Sequence, residues 1–427
     1  MNINNIYNRL KKKIKDKSIV IGVIGQGYVG LPTSILFSNK NFKVYGFDNN
    51  KKLITNLINS NKDINEISKN KIKIFNKKNT FTYKKSDLKK CDAFIICVPT
   101  PLRKNEPDLS FLNNFIKDIK SINISEKLII LESTSYPSTT RKFICNKLEN
   151  ENKIIGKDFF VGFSPERISP GDKTPIQKIP KLYSGITPNC SRLIYLLYKN
   201  VFLKLVKTPT VEVAETSKIY ENIFRAVNIA LVNEMKLICN KINIDIIDVI
   251  NAAKTKPFGF MPFYPGPGWG GHCIPIDPIY MSWLAKKNNI NAEFIKLAGK
   301  INAKMPNYIV KKLKPFLKHK VNPKILIVGV SYKENINDIR ESPAIKIIEL
   351  LIKKNFSVDY HDPFVPKLHK FKMKNKLLTK NNLTKYDCTI ITTFHKKINW
   401  SLVKNNSKLI FDTRGKIYKQ SKNFYLV

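Results

Sequence analysis

Long apolar runs, paired cysteines and acidic residues are all scarce in this sequence. The seven cysteines among 427 residues are widely spaced and include no Cys-x-x-Cys pair, which argues against a disulfide framework and against a zinc site. No apolar run approaches the roughly 18 residues needed to cross a bilayer, and the N-terminus lacks the apolar stretch of a secretory signal. These absences predict a cytoplasmic protein with no membrane partner and no bound metal.

The scarcity of acidic residues gives the chain a formal net charge of +43, from 75 Lys and Arg against 32 Asp and Glu. One interpretation is a nucleic-acid-binding protein. We favour compositional drift toward lysine, because the basic residues are spread along the whole chain whereas nucleic-acid footprints are usually clustered. We therefore expect no specific nucleic-acid partner. We interpret the basic residues 1–17 as a frayed lead-in, with an amphipathic arm as the alternative.

The apolar residues that are present suffice for more than one core. Hydrophobic residues make up 43% of the chain, and 427 residues exceed the usual size of one domain. Strand and helix patterns alternate at first, a helix without Gly or Pro follows over 212–242, and strand–helix alternation resumes at 324. We predict an α/β protein with two Rossmann-like doubly wound parallel-sheet domains, residues 1–209 and 306–427, joined by a central helical domain, residues 210–305.

The two outer domains share a short sequence echo. Asp48 follows the second strand of the first domain, and Asp362 occupies the same position in the last domain, at an offset of 314 residues. The glycines that end the first strand of each domain, Gly25 and Gly329, differ by 304 positions. The echo predicts that the last domain repeats the first with a longer loop after its first strand, through residues 331–342.

A glycine pattern, Gly25-Gln26-Gly27-Tyr28-Val29-Gly30, lies between a predicted strand and a predicted helix. Gly25 permits a tight turn, Gly27 lets the backbone approach a pyrophosphate, and Gly30 lets helix and strand pack closely. The phosphates then meet the N-terminus of the helix. Asp48 suits the ribose hydroxyls and would repel a 2′-phosphate, so the pattern predicts NAD rather than NADP. A plain glycine turn is the alternative.

Cys273 lies in a loop rich in Gly and Pro, residues 265–278, four residues before Asp277. A structural cysteine usually sits among apolar neighbours on a helix or strand, whereas a thiolate in so approachable a loop could attack an aldehyde. His272 could favour the thiolate, although we prefer a structural role for it. Spacing alone leaves a catalytic and a structural Cys273 equally open.

Polar residues on the long helix and after two strands are further candidates. Lys218 and Asn222 are four residues apart among apolar neighbours, so they share a helix face and need polar partners or a ligand. Glu166 follows a strand, where α/β sheets place their sites, and is a candidate acid or base. Thr100 and Thr134 also follow strands and offer hydroxyls to cofactor or substrate. A solvated helix face and a surface-loop carboxylate are the alternatives.

The long loop of the last domain carries the cations Lys333 and Arg340 together with Asp338. Cations between a strand and a helix suit a pyrophosphate. Because the loop lacks the three-glycine pattern, a nucleoside diphosphate is favoured over a second dinucleotide.

Taken in order, these segments resemble the UDP-glucose/GDP-mannose dehydrogenase family over about residues 18–415. With Gly-Gly-His-Cys at residues 270–273, this chain is similar to the branch of the family whose enzymes oxidise UDP-N-acetylglucosamine for bacterial surface polysaccharides such as lipopolysaccharide. The UDP-glucose branch has Gly-Gly-Ser-Cys and a second glutamate where this chain has Pro170, so roles of that acid are not carried over. The motifs that carry the resemblance are Gly25–Pro32, Val98–Leu102, Ser164–Arg167, Lys218 with Asn222, Gly270–Pro278 and Lys333–Pro343.

The resemblance implies a four-electron oxidation of the sugar C6 alcohol to the uronic acid, with NAD as oxidant and a thiohemiacetal and a thioester on Cys273. It also implies a UDP-sugar substrate and a homodimer formed through the central helices. For catalysis, the resemblance implies oxyanion stabilisation and substrate binding by Lys218 and Asn222, proton transfer by Asp277 with Lys218, and hydrolysis and substrate binding by Glu166. For the cofactor, it implies binding by the Gly25–Gly30 loop with Tyr28 and Val29, and by Asp48, Thr100 and Arg340, while Thr134 would bind water or cofactor. It further implies substrate binding by Gly270 and Lys333.

Three alternatives stay open. The first is the same chemistry on UDP-N-acetylmannosamine, UDP-N-acetylgalactosamine or UDP-glucose. The second is a two-electron dehydrogenase of the hydroxyacid type, which also joins a Rossmann domain to helices but would not need Cys273. The third is a basic nucleic-acid-binding protein with a dehydrogenase-like shell, which predicts salt-sensitive binding to DNA or RNA.

Overall fold

A computed structural model describes residues 3–64, 67–150, 153–169, 171–172, 174–271, 273–417 and 423–427. The chain forms two compact units, Met1–Tyr220 and Glu221–Val427. Two positions singled out in the sequence, Pro170 and His272, lie outside the described residues. Within the described ranges, no helix combines the length and the apolar character needed to cross a membrane.

The first unit contains one large sheet and a small hairpin. Its strands are β1 Val20–Ile24, β2 Lys43–Phe47, β3 Thr80–Thr82, β4 Ala93–Ile96, β5 Leu102–Arg103, β6 Glu106–Pro107, β7 Leu128–Leu131, β8 Phe160–Phe163, β9 Lys181–Gly185 and β10 Leu205–Lys207. The large sheet has the order β10-β9-β8-β7-β4-β1-β2-β3. Strands β3-β2-β1-β4-β7-β8 are parallel, which is the strand order of a dinucleotide-binding Rossmann sheet.

The central strands of this sheet are short and wholly apolar. Strands β4, β7 and β8 are buried along their entire length, as expected for a parallel sheet covered on both faces. Strand β9 runs antiparallel to β8 and extends the sheet beyond the Rossmann order. The helices of this unit are α1 Ile3–Lys15, α2 Gly30–Ser38, α3 Lys51–Asn59, α4 Lys69–Lys78, α5 Ser110–Lys120, α6 Asn146–Leu148 and α7 Pro188–Tyr198.

The prediction of a frayed N-terminal lead-in is wrong, because these residues form helix α1. Ile6, Leu10 and Ile14 recur every four residues and are buried in the core of the first unit, so they present one apolar face. Lys13 forms an ion pair with Asp92 at 2.8 Å. Burial of three large aliphatic side chains outweighs the mutual repulsion of the lysines, and the alternative interpretation, an amphipathic segment, describes this helix.

Helix α8, Val211–Lys241, begins in the first unit and continues into the second. The other helices of the second unit are α9 Ile246–Ala253, α10 Asp277–Lys287, α11 Glu293–Leu313, α12 Pro343–Ile352, α13 Lys380–Leu383 and α14 Trp400–Asn406. The domain boundary predicted at 209/210 immediately precedes α8, and the one predicted at 305/306 lies inside α11. The three-domain division stays a prediction.

The second unit carries a five-stranded parallel sheet in the order β12-β11-β15-β16-β17. Its strands are β11 Lys324–Val328, β12 Ser357–His361, β15 Cys388–Ile391, β16 Ile410–Asp412 and β17 Phe424–Leu426, and a separate hairpin is formed by β13 Lys367–Leu368 and β14 Met373–Lys374. The order is that of a doubly wound sheet. The predicted fold class, with two such sheets, is confirmed.

The sequence echo corresponds to a repeated structural feature. Asp48 accepts the N–H of Gln26 at 2.8 Å, and Asp362 accepts the N–H of Val330 at 2.7 Å. In both units the acceptor follows the second strand and the donor follows the strand glycine. Each carboxylate therefore fixes the loop that leaves the first strand of its sheet.

Candidate active site

The three glycines of the first loop occupy positions that suit their predicted roles. Gly25 has φ +88°, and a Cβ there would lie 2.6 Å from the carbonyl oxygen of Cys97. A Cβ at Gly30 would overlap the backbone of Gly25, whereas one at Gly27 would meet nothing within 4 Å. The open side of Gly27 leaves room for a pyrophosphate, and α2, which starts at Gly30, has no acidic residue in its first turn to repel one.

Asp48 is half-exposed at the end of β2. One carboxylate oxygen accepts the N–H of Gln26, and the other accepts the N–H of Asn50 at 2.8 Å. A carboxylate oxygen has two lone pairs, so each keeps acceptor capacity for a ribose hydroxyl. The two backbone bonds hold the carboxylate at the rim of the glycine loop, where the ribose of a bound dinucleotide is expected.

Thr100 and Thr134 are brought together at the carboxyl ends of β4 and β7. The Thr100 hydroxyl donates to the carbonyl oxygen of Thr134 at 2.5 Å, while the Thr134 side chain is half-buried. Further along the same segment, the Glu215 carboxylate of α8 accepts the N–H groups of Ser138 and Thr140 at 2.6 and 2.8 Å. The Thr134 segment is thus attached at both ends.

Glu166 is a buried carboxylate, not the surface acid of the alternative interpretation. It is 7% exposed, and one of its oxygens accepts the N–H groups of Arg167 and Ile168 at 2.7 and 3.0 Å. Its other oxygen lies 2.8 Å from the ammonium of Lys181. Burial by itself would raise the pKa of Glu166, but the Lys181 ammonium and the Arg167 N–H bring it below its usual range. The carboxylate form is therefore favoured at neutral pH.

Lys218 and Asn222 are one turn apart on α8 and only 5% and 0% exposed, so the alternative of a solvated helix face is wrong. In the second unit the Asn222 amide nitrogen donates to the Asp277 carboxylate, and the Asn222 carbonyl oxygen accepts from Arg225. Asp277 opens α10 and is 3% exposed. The structure therefore brings Asn222 and Asp277 together and fixes which way the Asn222 amide faces.

Cys273 lies in the turn that leads into α10, where its carbonyl oxygen accepts the N–H of Asp277 at 2.9 Å. The thiol-bearing residue is half-buried, unlike the five cysteines that are fully buried. At the other end of the loop, the side chain of Asn233 on α8 accepts the N–H of Gly266 at 3.0 Å. Both ends of the cysteine loop are thus anchored to helices.

The loop that carries Lys333 packs against the cysteine loop. The N–H of Gly271 donates to the carbonyl oxygen of Arg340 at 3.0 Å, and a Cβ at Gly270 would lie 2.7 Å from Tyr332. Only glycine fits at position 270, so this residue allows the two loops to touch. Lys333 is half-buried, while the Arg340 guanidinium is exposed and pairs with Asp338 at 2.6 Å.

Three charged residues of these networks were given no role by the sequence analysis: Arg225, Glu132 and Lys181. Arg225 lies three residues after Asn222, a spacing that places two residues side by side on a helix. Glu132 directly follows β7, and that position is itself a signal for a site in a parallel sheet. Lys181 opens an added antiparallel strand, and nothing in its local sequence indicates a partner.

Replacing Arg225 with methionine is expected to lower kcat about 10-fold with a smaller change in KM, because the Asn222 amide would no longer be held in one orientation. The measurement is steady-state NADH formation. Arg225→Lys, which keeps the charge but loses the planar geometry, should recover part of the loss. Equal rates for Arg225→Met and the unmodified chain would show that Asn222 needs no such support.

The glycine loop, the sheet that bears it and the two anchored loops of the second unit define an NAD-binding dehydrogenase with a nucleotide-binding second sheet. The chain belongs to the UDP-glucose/GDP-mannose dehydrogenase family. Residues 19–202 match the family's NAD binding domain, residues 212–304 its central domain and residues 326–420 its UDP binding domain. It is therefore an oxidoreductase of nucleotide sugars that uses NAD, and the predictions of family and cofactor are confirmed.

The names of similar proteins state two epimeric substrates, UDP-N-acetyl-D-glucosamine and UDP-N-acetyl-D-mannosamine. A UDP-N-acetyl-D-glucosamine 6-dehydrogenase from Pseudomonas aeruginosa is 37% identical, over 82% of this chain and 84% of the relative. A UDP-N-acetyl-D-mannosamine dehydrogenase from Methanococcus vannielii is 33% identical, over 95% of each chain. The solved structure of a UDP-D-ManNAc dehydrogenase from Pyrococcus horikoshii has a TM-score of 0.85 at 30% identity and covers 96% of this chain and 98% of its own.

Proposed function

We propose that this enzyme oxidises the C6 alcohol of UDP-N-acetylglucosamine to a carboxylate, through a covalent intermediate on Cys273, for surface polysaccharide synthesis. The observation that carries the proposal is the anchored cysteine loop, which places Cys273 in the turn before α10 and Asp277 in contact with Asn222. A cysteine nucleophile also fits the reducing cytoplasm.

The overall change converts the alcohol, two NAD⁺ and one water into the carboxylate, two NADH and three protons. When held at the Gly25–Gly30 loop, NAD would supply the hydride acceptor for each of the two oxidations. Between them, the Cys273 thiolate adds to the C6 aldehyde and forms a C–S bond, giving a thiohemiacetal. Loss of the second hydride leaves a thioester, which water cleaves to the carboxylate and the free thiol. The aldehyde is never released, because it is captured where it forms.

Residues of both units have separable tasks in the proposed scheme. Asn222 can donate its second amide hydrogen to the developing oxyanion, with the ammonium of Lys218 supplying charge. Asp277, held by Asn222, is the acceptor for protons leaving the substrate. Glu166 has a lowered pKa, so it orients and polarises the hydrolytic water better than it removes a proton from it. Lys333 meets the diphosphate of the substrate.

The choice between sugars rests on the Gly-Gly-His-Cys sequence at residues 270–273 and on the relative from Pseudomonas aeruginosa. The mannosamine epimer is the second candidate, supported by the relative from Methanococcus vannielii and by the similar structure. The two epimers differ in the orientation of one acetamido group, so only a few contacts can separate them.

The test is the amount of NADH formed per sugar at completion, with UDP-N-acetylglucosamine and its manno, galacto and gluco counterparts assayed in parallel. We expect two NADH per sugar, with a kcat/KM for UDP-N-acetylglucosamine at least ~10-fold above the others. One NADH per sugar would contradict the thioester and favour the two-electron alternative. A higher kcat/KM for the manno epimer would replace the substrate and leave the chemistry in place.

We also propose that a second copy of this chain covers an exposed apolar stripe on α8. Leu231, Met235 and Ile238 recur at intervals of four and three residues, so they lie on one face of α8, and they are 37–54% exposed. A stripe of this kind in a folded unit usually marks an interaction site. The homodimer implied by the family resemblance supplies the occupant.

Sedimentation velocity tests the dimer. The double variant Leu231→Glu/Ile238→Glu is expected to sediment as a monomer at micromolar concentration, because like charges would face each other across the symmetric contact. Lys287→Glu, an exposed change outside the stripe, should sediment as the unmodified chain does. A monomeric unmodified chain, or a dimeric double variant, would place the interface elsewhere or remove it.

A further inference from the structure

Three buried charges meet at the carboxyl edge of the first sheet: Glu132, Glu166 and Lys181. The Lys181 ammonium lies 2.8 Å from a Glu166 oxygen and 3.0 Å from a Glu132 oxygen. The three side chains are 3%, 5% and 0% exposed for Lys181, Glu166 and Glu132 respectively. The Lys181 ammonium is therefore shielded from water and forms ion pairs with both carboxylates.

The sheet topology explains why these residues meet. Glu132 follows β7 and Glu166 lies just beyond β8, and these strands are parallel neighbours, so both ends reach the same edge. Strand β9 runs antiparallel to β8, with Phe163 opposite Ser184. Continuing this register by three residues brings Lys181 opposite Glu166. Because β9 is antiparallel, its first residue, Lys181, lies at the edge of the sheet that is formed by the carboxyl ends of the parallel strands.

Every group in this cluster is satisfied by a defined partner. The Tyr198 hydroxyl donates to Glu132, and the Lys181 ammonium also lies 5.2 Å from the centre of the Phe202 ring. Because Glu166 accepts two backbone N–H groups on one oxygen and Lys181 on the other, its carboxylate has one orientation. Burial raises the pKa of Glu132 above its usual value despite Lys181, so Glu132, not Glu166, is the acid of the pair that protonates first.

We propose that Lys181 is a positioning residue for the reaction: its ion pair holds Glu166 ionised and in one orientation, and Glu132 and Tyr198 hold Lys181. This assignment rests on the proposed function, since it gives Glu166 a task in cleaving the thioester. A buried ion pair is weak evidence for stability, because apolar side chains often replace one without loss. Its place at the carboxyl edge of the sheet, beside the Thr134 segment, favours a part in the chemistry.

The charges facing Glu166 come from three elements, and they determine the expected pH behaviour. Lys181 of β9 and, more weakly, Lys218 of α8 favour its ionised form, while Glu132 after β7 opposes it. Removing Lys181 removes the charge that most favours the ionised form of Glu166. The apparent pKa of the acidic limb of the kcat profile should then rise, because a carboxylate that loses a neighbouring cation holds its proton to higher pH.

The test compares the pH dependence of kcat for Lys181→Met, Lys181→Arg and the unmodified chain. For Lys181→Met we expect kcat at pH 7 to fall about 10- to 100-fold, KM for the nucleotide sugar to change less than about 3-fold, and the acidic limb to move up by about one pH unit or more. Lys181→Arg should restore the limb and most of kcat. Lys178→Met, an exposed neighbour, should match the unmodified chain.

If Lys181→Met does not fold, because it leaves two buried carboxylates without a cation, the double variant Glu132→Gln/Lys181→Met tests the assignment instead. It removes one charge of each sign and leaves Glu166 without the Lys181 ammonium, so kcat should again fall and the acidic limb should again move up, though by less than in Lys181→Met because the Glu132 charge is gone as well. A folded variant with an unmoved acidic limb would overturn the assignment and make the cluster structural. NADH per sugar is measured alongside: fewer than two from the unmodified chain would contradict the proposed function, and with it this role.

Discussion

The Cys273→Ser variant is expected to lose at least about 10³-fold in kcat for carboxylate formation, because a serine hydroxyl is a far weaker nucleophile than a thiolate. The first oxidation does not use the thiol, so up to one NADH per active site can still form in a single turnover. We therefore expect a small burst of NADH followed by almost no steady-state turnover. Rapid-mixing absorbance at saturating NAD and UDP-N-acetylglucosamine measures both phases.

Cys145→Ala serves as the matched control, since it removes a buried thiol of the first unit that has no place in the scheme. It should keep two NADH per sugar and a kcat within about twofold, because a conservative core change mainly affects stability. A Cys273→Ser variant that still yields two NADH per sugar would show that no C–S bond is needed. The enzyme would then release the aldehyde and rebind it.

Lys236→Met is expected to stabilise the protein by about 4 kcal/mol at pH 7, because the change removes a buried ammonium that is costly to desolvate. Lys236 is 0% exposed on α8, and among the described residues its ammonium has no hydrogen-bond acceptor. Burial lowers the pKa of Lys236 to about 7, with Asp412 opposing the shift and Arg414 adding to it. Methionine has a similar length and no charge.

The pH dependence of this stabilisation has a definite sign. The folded chain holds the Lys236 proton less tightly than the unfolded chain does, so the unmodified protein loses stability as the pH falls from about 10 to about 7. Each pKa unit corresponds to ~1.4 kcal/mol, so the advantage of Lys236→Met should be largest at pH 7 or below and small near pH 10. Urea unfolding at pH 7 and pH 9, without substrates, measures it.

Lys241→Met provides the control, because Lys241 is exposed near the end of the same helix. Its free energy of unfolding should change by less than ~0.5 kcal/mol at either pH. A Lys236→Met variant less stable than the unmodified chain would mean that the ammonium has an acceptor in solution. The Asp412 carboxylate is not available for that purpose, since four backbone N–H groups already bind it.

The glycine loop could be predicted from the sequence because its requirements are local. Gly25 needs a positive φ, Gly30 needs the absence of a side chain, and both needs arise within six residues. The position of Asp48 after β2 could likewise be predicted, since its distance along the chain from the glycine loop is typical of this fold. The apolar runs that became β4, β7 and β8 are short and unbroken, as buried parallel strands require.

Contacts between distant segments could not be predicted in this way. Lys181 meets Glu166 only because β9 pairs with β8 in antiparallel register, and a shift of one residue would turn its side chain to the other face. Helix spacing predicts that Arg225 lies next to Asn222, but only the structure shows that the Arg225 guanidinium donates a hydrogen bond to the Asn222 carbonyl oxygen. Helix α1 was misjudged because its many lysines obscured three apolar residues whose binding surface lies elsewhere in the chain.

The sequence by itself determined the order of elements, the dinucleotide loop and the family, and it predicted a set of candidate catalytic residues. These follow from backbone preferences and from side-chain spacing within one turn or one strand. Only the tertiary structure decided which charges are buried and what they contact: Glu166 pairs with Lys181, Asn222 lies between Arg225 and Asp277, and Lys236 has no acceptor among the residues that the structure describes. The reason is that the ionisation and orientation of a buried side chain depend on partners far away in sequence, and strand register and helix packing bring those partners into contact.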